Sequence, residues 1–347
     1  MAKKTTIDYN PNLTSIITNN IFGLPHTPSK SRLVFIPVPW DVTVSNFSGT
    51  SEGPQRIFDS SFQIDLFDTF ATDEWKRGMA MEKIDPKIVA RNRRFRKRSV
   101  EYIKFVENGG QVEKDKKLQK TLEEINVACE ELGQLIELKS HMHLEQGRIP
   151  VVIGGDHSVS YGLIRALSKR QAGFGILQID AHADLRENYQ GFTFSHASAM
   201  FNAKRLRGVK KIVQVGVREL CYDEYNLIKK SQKTISTFFD RDVQKRMIEG
   251  EPWAKICNDI IDELPDTVYI SMDVDGLQPS LAPTTGTPLP GGLFFNQVLY
   301  LFELLIKRGK TIIGADLVET GPGNLDGIIS SRLLFNMAGI ILKSNPE

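Results

Sequence analysis

Residues 174–184 read F-G-I-L-Q-I-D-A-H-A-D. A short β-rich run breaks off into acid and imidazole side chains at every second position. A strand, or its extended continuation, points residues i, i+2 and i+4 to one side. Asp180, His182 and Asp184 are therefore expected to converge on one point. The stretch S-M-D-V-D-G at 271–276 offers Asp273 and Asp275 from a second strand, and G-G-D-H-S at 154–158 supplies His157. Four carboxylates and two imidazoles in one cleft repel one another unless cations neutralise them. The pattern reads as a two-metal site. Each piece also has a plainer reading: a helix cap for Asp156, a structural histidine for His157, a polar strand exit for 180–184 and a turn for 273–276. Their joint occurrence favours the metal.

Working outward, β-rich runs recur at 33–38, 150–154, 174–180, 211–217, 234–238, 267–273 and 311–317, with a weaker one near 78–83. Helical patterns lie between them at about 117–147, 158–170, 222–231, 252–264, 295–308 and 326–342. This alternation predicts parallel β-α-β units in a three-layer α/β/α sandwich with a mainly parallel sheet of roughly eight strands. No repeat or linker divides 32–347, which is read as a single domain with a helical insertion at about 85–147. Residues 1–31 read as an N-terminal arm whose apolar patch (Ile16, Ile17, Ile21, Phe22) packs on the body or on a neighbouring subunit. His157 follows one predicted strand, while Asp180 and Asp273 close two others. Ligand sites in open parallel sheets form at these carboxyl ends.

The 347 residues are 41% hydrophobic and 25% charged, ordinary for a globular enzyme, and the formal net charge of +2 argues against a dedicated nucleic-acid binder. No uninterrupted apolar run has membrane-spanning length, and the start M-A-K-K-T-T lacks a secretory apolar core. Cys129, Cys221 and Cys257 are odd in number and far apart, which points to a reducing cytoplasm. An oxygen-rich ligand set with imidazole and no thiolate suits Mn(II), with Ni, Co or Fe(II) open. Two such ions make hydroxide available near neutral pH, so the chemistry is hydrolysis at an electrophilic carbon or phosphorus.

Together with A-P-T-T-G-T-P-L-P-G-G-L at 282–293, these motifs resemble the ureohydrolase family of arginase, agmatinase, formimidoylglutamase and guanidine hydrolase across roughly 33–342. The resemblance implies an arginase-type fold, two Mn(II) ions (Ni(II) as the alternative) and release of urea from a small guanidinium compound. It implies His157, Asp180, Asp184 and Asp273 around one metal, and Asp180, His182, Asp273 and Asp275 around the other. Asp184 would also orient the attacking water, Glu319 would pair with the guanidinium, and His196 would pass a proton to the leaving amine. A carboxylate is independently the natural acceptor for a planar guanidinium, and an imidazole titrates near working pH. Gly286, Gly291, Gly292, Pro288 and Pro290 would shape the adjacent loop. Homo-oligomers, trimers or hexamers, are expected by resemblance only.

The segment D-L-R-E-N-Y-Q-G-F-T-F-S-H-A-S at 184–198 resembles the agmatinase branch, as does V-P-W-D-V-T-V-S-N-F-S-G-T-S-E-G-P at 38–54. Agmatine, cleaved to putrescine and urea, is the leading substrate. Gln278 departs from the Asp usual in the family, and Thr43, Trp40 and Phe294 are candidates for narrowing the cleft around free guanidine. Arg186 could anchor a carboxylate, which keeps formimidoylglutamate and guanidino acids open. The basic run Arg91–Arg98 reads as a solvated or subunit-contacting helix face rather than a nucleic-acid patch. A silent assembly or regulatory protein is the remaining alternative, disfavoured because all six ligand positions are filled.

Overall fold

The apolar runs form eight strands, and every pairing between them is parallel. The computed structural model describes residues 10–12, 17–171 and 173–346. The strands are β1 (Leu33–Val38), β2 (Met79–Met81), β3 (Ile149–Gly154), β4 (Phe174–Ile179), β5 (Val209–Val215), β6 (Ile235–Phe238), β7 (Thr267–Asp273) and β8 (Thr311–Val318). The helices are α1 (Gly53–Ser60), α2 (Pro86–Glu107), α3 (Lys116–Glu145), α4 (Ser160–Arg170), α5 (Ala199–Ala203), α6 (Tyr222–Lys230), α7 (Asp240–Ile248), α8 (Trp253–Asp262), α9 (Phe295–Lys307) and α10 (Asn324–Lys343).

Strand side chains alternate between two apolar cores, as the two-residue period of a strand demands. Along β7, Val268, Ile270 and Met272 join one core with Ile256 and Ile260 of α8, Leu301 and Leu305 of α9, and Leu334 and Ile341 of α10. Tyr269 faces the other way, into a core with Phe95 of α2, Leu132 and Ile136 of α3, and Leu163 of α4. Sheet and two helical layers make the expected three-layer α/β/α sandwich. The strand order is β2-β1-β3-β8-β7-β4-β5-β6. It places β3, β8, β7 and β4 side by side, although β8 is last in sequence.

Several local expectations are corrected. The helical stretch at 85–147 is two helices, broken where Gly109 turns the chain at φ 79°. Asp85 caps α2 by accepting the Lys87 N–H at 2.8 Å, and Asp115 caps α3 by accepting those of Lys117 and Leu118 at 2.9 and 3.0 Å. The short helices α1 and α5 carry too few turns for a readable apolar period, and α7 is too polar to show one, burying only Asp240 and Val243. By length and composition alone α10, which includes Asp326 and Arg332, could span a bilayer, but 72% of its apolar window is buried inside the protein. Its apolarity serves the core.

Of the arm's patch, Ile21 and Phe22 are fully buried, Ile17 is exposed, and Ile16 lies outside the described residues. Phe22 meets Phe35 and Phe335 edge to face at centroid distances of 5.9 and 5.2 Å. Asn20 donates to Met79 O at 3.1 Å and accepts the Met81 N–H at 2.9 Å, covering the edge strand β2.

Candidate metal centre

Beyond β3, the chain turns at Gly155, where any side chain would strike the Trp40 carbonyl. Asp156 then caps the next turn by accepting the Ser158 N–H at 3.1 Å, and His157 points over the sheet edge. His157 Nδ1 lies 3.0 Å from Asp180, 2.9 Å from Asp184 and 3.4 Å from Asp273. His182 Nδ1 lies 3.0 Å from Asp275 and 3.6 Å from Asp180. Two compact ligand groups result, His157–Asp180–Asp273 and Asp180–His182–Asp275, each with donor atoms within 4.8 Å of one another. Asp180 is common to both. Asp184 adjoins the first group through His157, and Asp273 joins only the first.

Simple strand alternation does not explain this convergence. β4 ends at Ile179, and Asp184 has a left-handed backbone, φ 54°. That conformation is costly for a non-glycine residue. Glu319 shares it, with φ 61° just beyond β8. Its N–H donates to Gly155 O at 2.8 Å, and Thr285 Oγ1 donates to its carbonyl at 2.8 Å. Glu319 Oε1 accepts the His157 N–H at 2.9 Å, while Oε2 is buried without a partner.

The charges fit cations. Burial and the neighbouring Asp180 push the Asp184 carboxyl up to about 7. Burial, with Asp275 and Asp180 adjacent, holds Asp273 well above the usual carboxylate range. Burial and Asp156 do the same to Glu319. Burial opposes a charged His157, yet Asp180, Asp184 and Asp273 hold its pKa well above the ordinary imidazole value. Against burial too, Asp275 and Asp180 raise His182 to about 12. Such carboxylates trade protons for metal ions readily, and the O- and N-donor set suits Mn(II) or Ni(II).

Sequence inspection missed the support beneath the ligands. Asp316, Ser271, Gln178, Gln214 and Thr237 stand in register on β8, β7, β4, β5 and β6. His157 Nε2 lies 2.8 Å from Ser271 Oγ, which donates to Asp316 at 3.0 Å; Tyr269 donates to the same carboxylate at 2.6 Å. Gln178 Nε2 donates to Asp180 Oδ2 at 2.7 Å, and Gln214 Nε2 donates to Gln178 Oε1 at 2.6 Å. Such outer partners fix ligand orientation. The available signal was a polar residue at one level of otherwise apolar strands. Arg218 was missed too; its guanidinium donates to the carbonyls of Gly216, Asp275, Leu277 and Leu289 at 2.6–3.2 Å.

A cleft of about 420 Å³ opens above the ligands, with Ser45, Arg186, Tyr189, Leu220 and Cys221 in its walls. His196 also lines it, with its ring edge-on to Tyr189 at 5.8 Å. Burial and the cationic His182 and Arg96 lower its pKa to about 3, so it is neutral at working pH rather than poised near it. Trp40 is buried beside Phe95, Phe294 is 54% exposed, and neither lines the cleft. Thr43 is fully buried behind His196. Gln278 engages Leu293 O through its backbone N–H at 3.0 Å and is half-buried. Gly286 sits against Glu319 Oε2, and Gly291 and Gly292 adopt φ of 99° and 96° in the loop.

The sequence pattern of the arginase family matches residues 31–341. The chain belongs to the arginase family. N(1)-aminopropylagmatine ureohydrolase of Thermus thermophilus is 32% identical over 87% of each chain. The agmatinase of Halalkalibacterium halodurans is 26% identical over 84% of this chain and 85% of its own. In structure, the agmatine ureohydrolase of Thermoplasma volcanium superposes with a TM-score of 0.71 at 24% identity, covering 94% of this chain and 96% of that one. The fold is thus that of arginase-family members, and this member is a metal-dependent ureohydrolase with candidate ligands for a binuclear centre.

Proposed function

We propose that this ureohydrolase releases urea from an alkylguanidinium compound lacking a carboxylate, with agmatine or its aminopropyl derivative as substrate. The observation that carries the proposal is Glu319 Oε2: buried, unpartnered and facing the cleft above the ligand groups. An orphaned carboxylate oxygen of this kind costs free energy until a cation meets it, and a guanidinium N–H does so with a charge-assisted bond. Among the described residues Arg186 is the one Lys or Arg side chain in the cleft wall, and it is already engaged. Its Nε lies 3.6 Å from Glu224, and its guanidinium stacks 5.0 Å over Tyr189. That engagement favours a substrate tail without a carboxylate. The names of the Thermus and Halalkalibacterium relatives support the same choice.

In this proposal His157, Asp180, Asp184, Asp273, His182 and Asp275 hold two ions, Mn(II) first and Ni(II) as the alternative. Ions held there would make a nucleophilic water available near neutral pH and would polarise the substrate. Glu319 binds the guanidinium and holds its central carbon over the ligands. Asp184 Oδ accepts the proton that the attacking water sheds. Neutral His196, in the cleft wall, would take up the proton that Asp184 received from the water and pass it on to the departing amine. The protein acts in the cytoplasm as a homo-oligomer, without nucleic acid or membrane.

The test is urea release after loading with Mn(II) or Ni(II), against agmatine, aminopropylagmatine, arginine, guanidine and formimidoylglutamate (ammonia measured for the last). Turnover of the first two with Mn(II) is expected. Exclusive turnover of guanidine with Ni(II) would replace the proposal with guanidine hydrolysis.

A further inference from the structure

The basic run on α2 is divided by its structure. Arg91, Arg94 and Arg98 surround the Phe95 ring at 5.8, 5.4 and 5.7 Å, and Arg91 and Arg98 pair with Glu131 and Glu124 of α3. Arg96 turns the other way. Its Nη1 donates to the carbonyls of Val42, at 3.3 Å, and Val44; its Nη2 donates to Ser48 Oγ at 2.7 Å. Asn92 and Ser99 share this face, at helical spacing of four and three residues. Asn92 donates to Asp41 Oδ1 and accepts the Asp41 N–H, both at 2.9 Å, and Ser99 Oγ donates to Val42 O.

The clamped loop, 41–48, carries side chains to the metal centre. Thr43 lies between the two carbonyls that Arg96 holds. Its Oγ1 accepts the His196 N–H at 3.2 Å, lies 3.4 Å from His196 Nδ1, and donates to Asp156 Oδ2 at 3.2 Å. Ser45 lines the cleft. The Phe47 N–H donates to Gly286 O at 3.2 Å, and Gly286 is the residue packed against Glu319 Oε2. The loop thereby spans the site from His196 to Glu319.

We infer that Arg96 is a positioning residue, locking loop 41–48 so that Thr43 orients His196 toward the cleft. This rests on the ureohydrolase reading of the site, but its structural half is testable without turnover. An arginine is required because a planar fork reaches three acceptors at fixed angles, whereas a lysine offers one flexible point charge. Burial disfavours its charge, and the nearby acids Asp41, Asp156 and Glu319 oppose that loss.

The experiment compares Arg96→Met, Arg96→Lys, Thr43→Val and Arg96→Met/Thr43→Val in the full-length Mn(II)-loaded enzyme. It reads kcat and KM for agmatine together with amide hydrogen exchange. Arg96→Met should lower kcat about tenfold or more, since small misplacements near reacting groups are that costly. Arg96→Lys should recover only part. The double variant should be no slower than Thr43→Val alone, because the two residues act in series. The amides of Phe47, bonded to Gly286 O, and of Gly49 just past the loop, bonded to Asp41 Oδ2 at 3.1 Å, should exchange faster in Arg96→Met while those of β4 and β7 do not. Multiplying effects on kcat, or unchanged exchange at Phe47 and Gly49, overturns the inference. Should Arg96→Met fail to fold, Arg96→Lys decides by the same exchange comparison. Absence of urea from the wild type with every guanidinium compound would sink the function, and the exchange result would still decide the clamp.

Discussion

Glu319 and His157 come from adjacent strand ends and are joined by one bond: the His157 N–H donates to Glu319 Oε1 at 2.9 Å. The bond fixes the carboxylate over the ligands and spends one of its oxygens. The other oxygen is buried without a partner, and under the proposed function it is the one that meets the guanidinium.

Glu319→Gln keeps shape and loses charge. A charge-assisted bond is worth about 2 kcal/mol more than nothing in its place, so kcat/KM for agmatine should fall roughly 30-fold or more. Metal content should be unchanged. An unaltered kcat/KM would show that the guanidinium sits elsewhere.

Asp273 belongs to the group around His157 and closes β7. Asp273→Ala should lose at least one of two tightly held ions by elemental analysis, and turnover with it. A variant that kept both ions and full activity would end the two-metal account.

Ser271 links His157 Nε2 to Asp316. Partners of this kind change metal affinity by about 10–100-fold when removed. Ser271→Ala should weaken Mn(II) binding by that order in a chelator competition, with the fold intact. Equal retention of metal by variant and wild type would remove Ser271 from the site's support.

Metal and pH are linked in a definite direction. In metal-free protein, Asp156 (raised to about 6), Asp184 (to about 7), Asp273 and Glu319 keep protons that the unfolded chain sheds near pH 4, and His157 and His182 keep theirs above 6.5. The folded state binds more protons, so stability should fall as pH rises from about 4 to 8. His196 works oppositely, its contribution being lost as pH falls from 6.5 through about 3. Burial lowers His26 as well, which acts in the same sense, and the lowered Asp180 matters only below about pH 4; the six outweigh these two histidines. Chelator should therefore lower the melting temperature more at pH 8 than at pH 6, and Mn(II) should restore it. A melting temperature of stripped protein that climbs from pH 5 to 8 would contradict these burial effects.

The amino-acid sequence determined most of the element types and named the candidate ligands. The two-residue period of runs such as 174–179 and the longer helical periods are local, as is the placement of Asp180 and Asp273 at strand ends. Short helices such as α5 escaped, having too few turns to show a period. Tertiary structure alone decided that β8 inserts between β3 and β7, which brings Glu319 to His157. It also decided that Asp184 and Glu319 take left-handed backbones, that one arginine of the basic run turns inward, and that four buried polar residues and the half-buried Thr237 align across the sheet. Neighbours in a parallel sheet are set by crossover packing over long sequence distances. A local pattern reports which side of a strand is buried, but not which strand lies beside it.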